Sequence, residues 1–175
     1  MKARIATVWL DGCSGCHMSL LDMDQRLLEL ADKIELVYSP LVDTKEFPEN
    51  VDVTLVEGSI SNEENLEQIR QIRERTKLLI SLGDCAVTGN IPSMRNAFPI
   101  DQVMEAYSGD QNANSKIKFE EVPKLLKEVT PVHSAVKVDL FIPGCPPSAS
   151  VIHYAITELL NGRTPDLNSL TRFGK

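Results

Sequence analysis

Ile5-Ala6-Thr7-Val8-Trp9-Leu10 runs straight into Asp11-Gly12-Cys13-Ser14-Gly15-Cys16-His17-Met18. The first six residues have the β-branched, near-continuous apolar character of a strand covered on both faces, as in parallel α/β sheets. The loop that follows is built of small residues and holds a C-x-x-C, and a helical pattern starts behind it. A C-x-x-C at a strand-to-helix junction serves metal or cluster ligation, thiol–disulfide chemistry or structural zinc. Two further cysteines complete the set, Cys85 in Leu82-Gly83-Asp84-Cys85-Ala86 and Cys145 in Pro143-Gly144-Cys145-Pro146-Pro147.

Working outward, each of these motifs ends a predicted strand. Met18, Leu21, Leu28 and Ala31 recur at helical spacing, with Leu20, Leu27 and Leu30 widening the stripe, so an amphipathic helix follows the first loop. Ile34–Tyr38 reads as the second strand and Val51–Val56 as the third, ending at Glu57-Gly58-Ser59. Ser61-Asn62-Glu63-Glu64 has the form of a capping box for a helix through Leu66, Ile69 and Ile72. Lys77–Leu82 is the fourth strand and Val136–Ile142 the fifth. Ser148 opens a last helix that stops at Asn161-Gly162. Residues 100–107 and 120–128 read as short helices, 108–118 as a polar loop, and the last dozen residues as a tail.

The alternation β-α-β-x-β-α-β-x-β-α predicts an α/β fold, a flavodoxin-like doubly wound parallel sheet forming a single domain over residues 1–175. Sites in such sheets form beyond the carboxyl ends of the strands. Cys13 and Cys16 follow the first strand, Glu57 the third, Cys85 the fourth and Cys145 the fifth, so four thiols remote in sequence can meet at one edge.

The whole chain is consistent with that reading. Its 175 residues carry 42% apolar and 25% charged residues, ordinary for a globular domain with its own core. A net charge of −7 argues against a nucleic-acid or anionic-membrane partner. No export signal and no run long enough to span a bilayer is evident, so a cytoplasmic chain without a membrane span is expected. In that setting four cysteines are ligands or catalytic thiols rather than a disulfide framework. Thiol exchange would need only the C-x-x-C, leaving Cys85 and Cys145 unexplained. Structural zinc usually draws on two close pairs within a small ribbon. Iron–sulfur clusters take four thiolates readily, and Cys-Pro and flanking glycines suit them. On spacing alone a 4Fe–4S cluster leads, while zinc and thiol redox chemistry stay open.

Four segments in order, Trp9–Ser19, Val56-Glu57-Gly58, Gly83–Gly89 and Pro143–Pro147, resemble the small subunit of nickel–iron hydrogenases. Within that family the likeness is to the short small subunit of the cytoplasmic, bidirectional NAD-linked enzymes, and it runs from about residue 4 to residue 162. The resemblance implies that Cys13, Cys16, Cys85 and Cys145 ligate one proximal 4Fe–4S cluster. It further implies a Ni–Fe centre on a separate large subunit, and iron–sulfur clusters and FMN on diaphorase partners that exchange electrons with NAD(P). No carboxy-terminal multi-cluster domain is expected. The respiratory complex I subunit of the same fold shares Pro-Gly-Cys-Pro-Pro but typically has adjacent cysteines in its first motif. A complex I-type cluster subunit and a zinc-stabilised interaction module are the alternatives.

The resemblance also gives Glu57 a part in proton movement near the large-subunit interface, where a partly buried carboxylate suits a relay. From the residues alone it would be a capping or surface carboxylate. His17 is expected to hydrogen-bond behind the ligands or at an interface. Asp11 and Asp84 orient the ligand loops, Trp9 packs in the core or at an interface, and His133 and His153 are structural. Arg95 is a candidate partner contact. The glycines do not form G-x-G-x-x-G, which leaves a nucleotide site without support.

Overall fold

A computed structural model describes residues 2–108 and 122–174. β1 (Ala3–Trp9) leads through α1 (Gly15–Leu21) and α2 (Gln25–Ala31) to β2 (Ile34–Tyr38). β3 (Val51–Glu57) is followed by a short β4 (Ile60–Asn62), α3 (Glu63–Arg75) and β5 (Thr76–Leu82). Short helices α4 (Asp84–Thr88) and α5 (Asn90–Ser93), then α6 (Ile100–Ser108), precede β6 (Leu125–Thr130), β7 (Leu140–Ile142) and α7 (Ala149–Leu160). β2-β1-β3-β5-β7 form one parallel sheet in that order, while β4 and β6 pair antiparallel as a separate ribbon. This is the flavodoxin-like arrangement expected.

Successive side chains on a strand point to opposite faces, and that alternation builds two cores. Ile5, Leu55, Ile80 and Leu82 pack with Met23 and Leu30 of the first helical layer and with Ile152 and Ile156 of α7. Ala6, Val8, Val56 and Leu79 pack with Ile69 and Ile72 of α3 and with Val132. Strand parity puts Glu57 on the same face as Leu55, beneath α1.

Five expectations are corrected. The helix after the first loop is two, broken at Asp22–Asp24, where Asp24 adopts φ 48°. Its apolar stripe is Leu20, Met23, Leu27 and Leu30, whereas Met18 and Leu28 are exposed. Met23 carries the i, i+4, i+7 series into the core, and the break lets both halves follow the sheet.

The capping box is displaced by one residue. Asn62, not Ser61, caps α3, its side chain accepting from Asn65 N–H at 2.7 Å. Ser61 lies in β4 and donates to Asn65 Oδ1 instead.

The short helix expected over 120–128 is in its described part β6, whose Thr130 and Leu125 pair with Ile60 and Asn62. Asn96 clamps that strand through both N–H and C=O of Val129. Pairing across the fold overrides a weak local preference.

The fifth strand is only Leu140–Ile142, because the Asp139 carboxylate, rather than a backbone carbonyl, accepts from Leu79 N–H at 2.9 Å. Burial pushes the Asp139 carboxyl upward. The Leu79 N–H and the Arg73 guanidinium, 2.6 Å away, outweigh that and hold it below the usual carboxylate range.

Finally, the last dozen residues, expected only as a tail, are bound to the body of the fold in their described part. Leu167 joins the core, and Thr171 and Gly174 hydrogen-bond to the cysteine loops. The loop expected at 108–118 lies, beyond Ser108, outside the described residues.

Candidate functional site

The order of the sheet reverses at β1, with β2 on one side and β3 on the other. Doubly wound sheets bind their ligands in the crevice at such a point, outside the carboxyl ends of the strands. Register makes the placement concrete. Trp9 pairs with Glu57, Glu57 with Leu82, and Leu82 with Ile142, so four strands end on one row. The next residues along each chain segment are the Asp11–Cys16 loop, Gly58, Gly83-Asp84-Cys85 and Pro143-Gly144-Cys145.

All four cysteines carry free thiols, and all four lie on the loops that leave this row of strand ends. Burial, then the Glu57 carboxylate, then the thiols of Cys85, Cys13 and Cys145 push the Cys16 thiol far up. Burial, then the neighbouring Cys13 and Cys145, push Cys85 up to about 11. Both of these thiols thus feel the charge of others across the strand ends. Asn90 Nδ2 donates to Cys145 Sγ at 3.5 Å. Cys13 and Cys145 are exposed and Cys16 is buried, so the crevice opens on the surface along one side.

The loops are held by close backbone approach. Gly58, at φ +90°, lies so near Leu10 and Asp11 that a Cβ would come within 2.8 Å of backbone. That approach lets Asp11 and Ser59 exchange N–H···O bonds of 3.1 and 2.7 Å across the strand ends. At Gly83 a Cβ would stand 2.2 Å from Cys16 Sγ. Asp84, 2% exposed, accepts Gly144 N–H on Oδ1 at 2.7 Å, and its own N–H donates to Gly144 O at 2.9 Å. The expectation that Asp84 orients its loop thus has a geometry: it ties the Cys85 loop to the Cys145 loop.

Glu57 is more deeply buried than the partial burial expected of it, at 2% exposure. α1 starts from Ser14 in the left-handed region with no side-chain cap, leaving its first N–H groups without the usual partner. Glu57 supplies that partner from β3, accepting Cys16 N–H at 3.3 Å and His17 N–H at 2.9 Å. His17, 4% exposed, sets Nδ1 2.5 Å from Glu57 Oε2 and Nε2 3.0 Å from Thr7 Oγ1. Thr7 donates on to Ser39 Oγ at 2.9 Å. The ring nitrogens of His17 thus bridge the Glu57 carboxyl group and the hydroxyl pair of Thr7 and Ser39 in one buried chain. Buried polar groups in such a chain are fully partnered, which makes the arrangement rigid.

The remaining candidates divide. Trp9 is 48% exposed and bonds Gly12 O through Nε1, so it stands on the surface beside the loop. Arg95, the candidate partner contact, bonds Leu126 O and Ser61 O within the chain, fastening the β4–β6 ribbon. His153 reaches Glu29 at 3.6 Å and His133 packs edge-on to Phe141. Thr7, Ser39, Thr171 and Gly174 were not singled out from the sequence. Only Thr7 left a signal there, a hydroxyl inside an otherwise apolar strand. Among the described residues no group of His, Cys, Asp or Glu is arranged to hold a single metal ion. A four-iron cluster does not ask for that arrangement, because each thiolate binds a different iron. The donor set of four thiols and the glycines pressed against Cys13 and Cys16 sulfurs fit such a group.

The chain belongs to the family described as NADH ubiquinone oxidoreductase, 20 kDa subunit, whose pattern matches residues 13–159. Its relatives place it among the hydrogenase small subunits of that family. It is 43% identical over 179 residues to the delta subunit of the NAD-reducing hydrogenase HoxS of Cupriavidus necator, covering 98% of this chain and 86% of that one. It is 44% identical over 170 residues to the vhu G chain of the F420-non-reducing hydrogenase of Methanocaldococcus jannaschii, covering 95% of this chain and 59% of that one. A chain in the crystal structure of an NAD+-reducing [NiFe]-hydrogenase in the H2-reduced state superposes with a TM-score of 0.93 at 39% identity, covering 99% of both. No helix among the described residues is long and apolar enough to cross a membrane.

Proposed function

We propose that this chain is the electron-transfer small subunit of a cytoplasmic nickel–iron hydrogenase, with Cys13, Cys16, Cys85 and Cys145 as the ligands of a single 4Fe–4S cluster. The observation that carries the reading is the row of strand ends from which the three cysteine-bearing loops all leave, in a chain whose relatives are hydrogenase subunits. When bound, the cluster supplies a one-electron relay between the Ni–Fe site of a large subunit and a diaphorase module whose iron–sulfur clusters and FMN exchange electrons with NAD(P).

The chain's own residues do the rest. Cys16 is the enclosed anchor, and Cys13 and Cys145 face outward toward partners. Trp9 and Met18, half exposed on either side of the first loop, together with Ile91 behind Cys85, offer an apolar rim for the large subunit. Glu57 holds the first turn of α1 and hydrogen-bonds the His17 ring, a contact through which a proton can pass, which supports its proposed role as a proton relay. The C-x-x-C of the first loop favours hydrogenase over a complex I-type subunit.

In the purified complex, Cys13→Ser, Cys16→Ser, Cys85→Ser and Cys145→Ser should each lower iron below a full cluster or yield a smaller one. If two of these were replaced together with iron, sulfide and the reduced-cluster spin signal all intact, the four-thiolate site would be refuted.

A further inference from the structure

Beyond α7 the described chain has no helix or strand of its own, yet it is tied down at the cysteine loops. After α7 the chain turns at Gly162, buries Leu167 in the core and brings Thr171, 8% exposed, under the last cysteine loop. Thr171 Oγ1 donates to the carbonyl of Pro143, two residues before Cys145. Three residues on, Gly174 N–H donates to Asp84 Oδ2 at 2.7 Å. The other oxygen of the same carboxylate takes Gly144 N–H at 2.7 Å. Gly83 N–H and Asp84 N–H close the arrangement by donating to Ile142 O and Gly144 O at 2.8 and 2.9 Å.

Asp84 therefore sits between Cys85 on its own loop, Gly144 on the loop of Cys145, and the tail. Its carboxylate is 2% exposed. The only hydrogen bonds it accepts among the described residues are those two backbone N–H groups. A buried carboxylate is stable only while its hydrogen bonds are made, and bonds to a charged acceptor are the stronger kind. Loss of the tail would remove one of the two and leave Oδ2 without its partner, while Oδ1 alone keeps Gly144 N–H. The first motif needs no such help, since Glu57 already fixes the turn that carries Cys16.

We propose that the carboxyl-terminal tail is a working part of the cluster site. Through Thr171 and Gly174 it locks Asp84, the positioning residue that sets Cys85 and Cys145 relative to each other. This rests on the four-thiolate reading given above. Groups that orient ligands in this way typically alter metal retention by about ten- to a hundredfold when removed.

The test uses the whole complex carrying the chain truncated after Leu170, with Thr171→Val and Thr171→Ser as milder variants. Leu167 and the sheet are untouched in all three. Wild-type complex is first shown to hold iron and sulfide; failure there refutes the cluster, not the tail. Iron release to a chelator is then timed well below the unfolding temperature, and the line shape of the reduced-cluster spin signal is recorded. The truncated form is expected to release iron about tenfold faster or more with an altered signal. Thr171→Val should fall between it and the wild type, and Thr171→Ser should restore wild-type behaviour. A tail that serves only general stability would lower the unfolding temperature while leaving the release rate and spin signal unchanged. That result overturns the proposal, as does truncated complex indistinguishable from wild type.

Discussion

Gly83→Ala is expected to leave a folded chain that retains less than about a tenth of its iron. Gly83 holds φ 82° and ψ 162°, a region essentially closed to any residue with a Cβ, at about 1–3 kcal/mol of strain. Strain of that size alone would not unfold a domain of this length. The decisive effect is steric: the new methyl would stand 2.2 Å from Cys16 Sγ and 3.8 Å from its Cβ. Cys16 is enclosed by core and cannot retreat, so its sulfur must leave the position it shares with the other three. Gly162→Ala is the matched control. It too has positive φ, at +72°, but nothing lies within 4 Å of its Cβ position, so it carries strain of about 1–2 kcal/mol without the collision. Iron and acid-labile sulfide per chain, read beside the circular dichroism of both variants, separate the two effects. Full iron in Gly83→Ala would mean that the Cys16 sulfur is not where the cluster needs it.

Glu57→Gln is expected to cut hydrogen oxidation by about a hundredfold or more, the range lost with a positioned proton-transfer group. Transfer of electrons from artificial reductants to NAD should continue. Hydrogen–deuterium exchange should fall in parallel, because it needs protons to leave but no net electron flow. The structure adds a cost that the chemistry of the side chain alone does not reveal. The carboxylate accepts three N–H groups, from Cys16, His17 and the His17 ring. An amide has one accepting oxygen and turns its NH2 toward a donor, so one N–H of the first turn of α1 loses its partner, at about 1–3 kcal/mol. Iron retention must therefore be measured first. Near-normal hydrogen oxidation and exchange in a cluster-loaded Glu57→Gln complex would return Glu57 to a purely structural role.

What the sequence discloses here depends on how local the cause is. The sheet was legible because buried parallel strands are continuous apolar runs, and four of the five were placed within a residue or two. The placement of the cysteine motifs at one edge followed from topology, since each motif ends a strand and the strands end together. The fifth strand was overdrawn because nothing local shows that the Asp139 side chain replaces a ladder carbonyl. The ribbon of β4 and β6 was missed because its partners lie far apart in sequence and Arg95 and Asn96, outside both strands, hold it. The phase of the first helical layer turned on Met23, which the apolar pattern had not included. Glu57 was noticed as a carboxylate at a strand end, but its service as a cap for a helix elsewhere in the sequence has no local trace. The tail has the composition of a surface segment, and only the partners of Thr171 and Gly174 show what it holds.

The most direct test is a freeze-quench experiment on the intact complex, reduced with hydrogen and then mixed with NAD+. The signal of interest is the reduced-cluster spin signal that is expected to be lost or altered in Cys16→Ser. An electron-relaying cluster on this chain predicts that the signal develops under hydrogen and decays on NAD+ addition at least as fast as NADH forms. A wild-type complex with no such signal, or one whose signal persists unchanged while NADH accumulates, would contradict it.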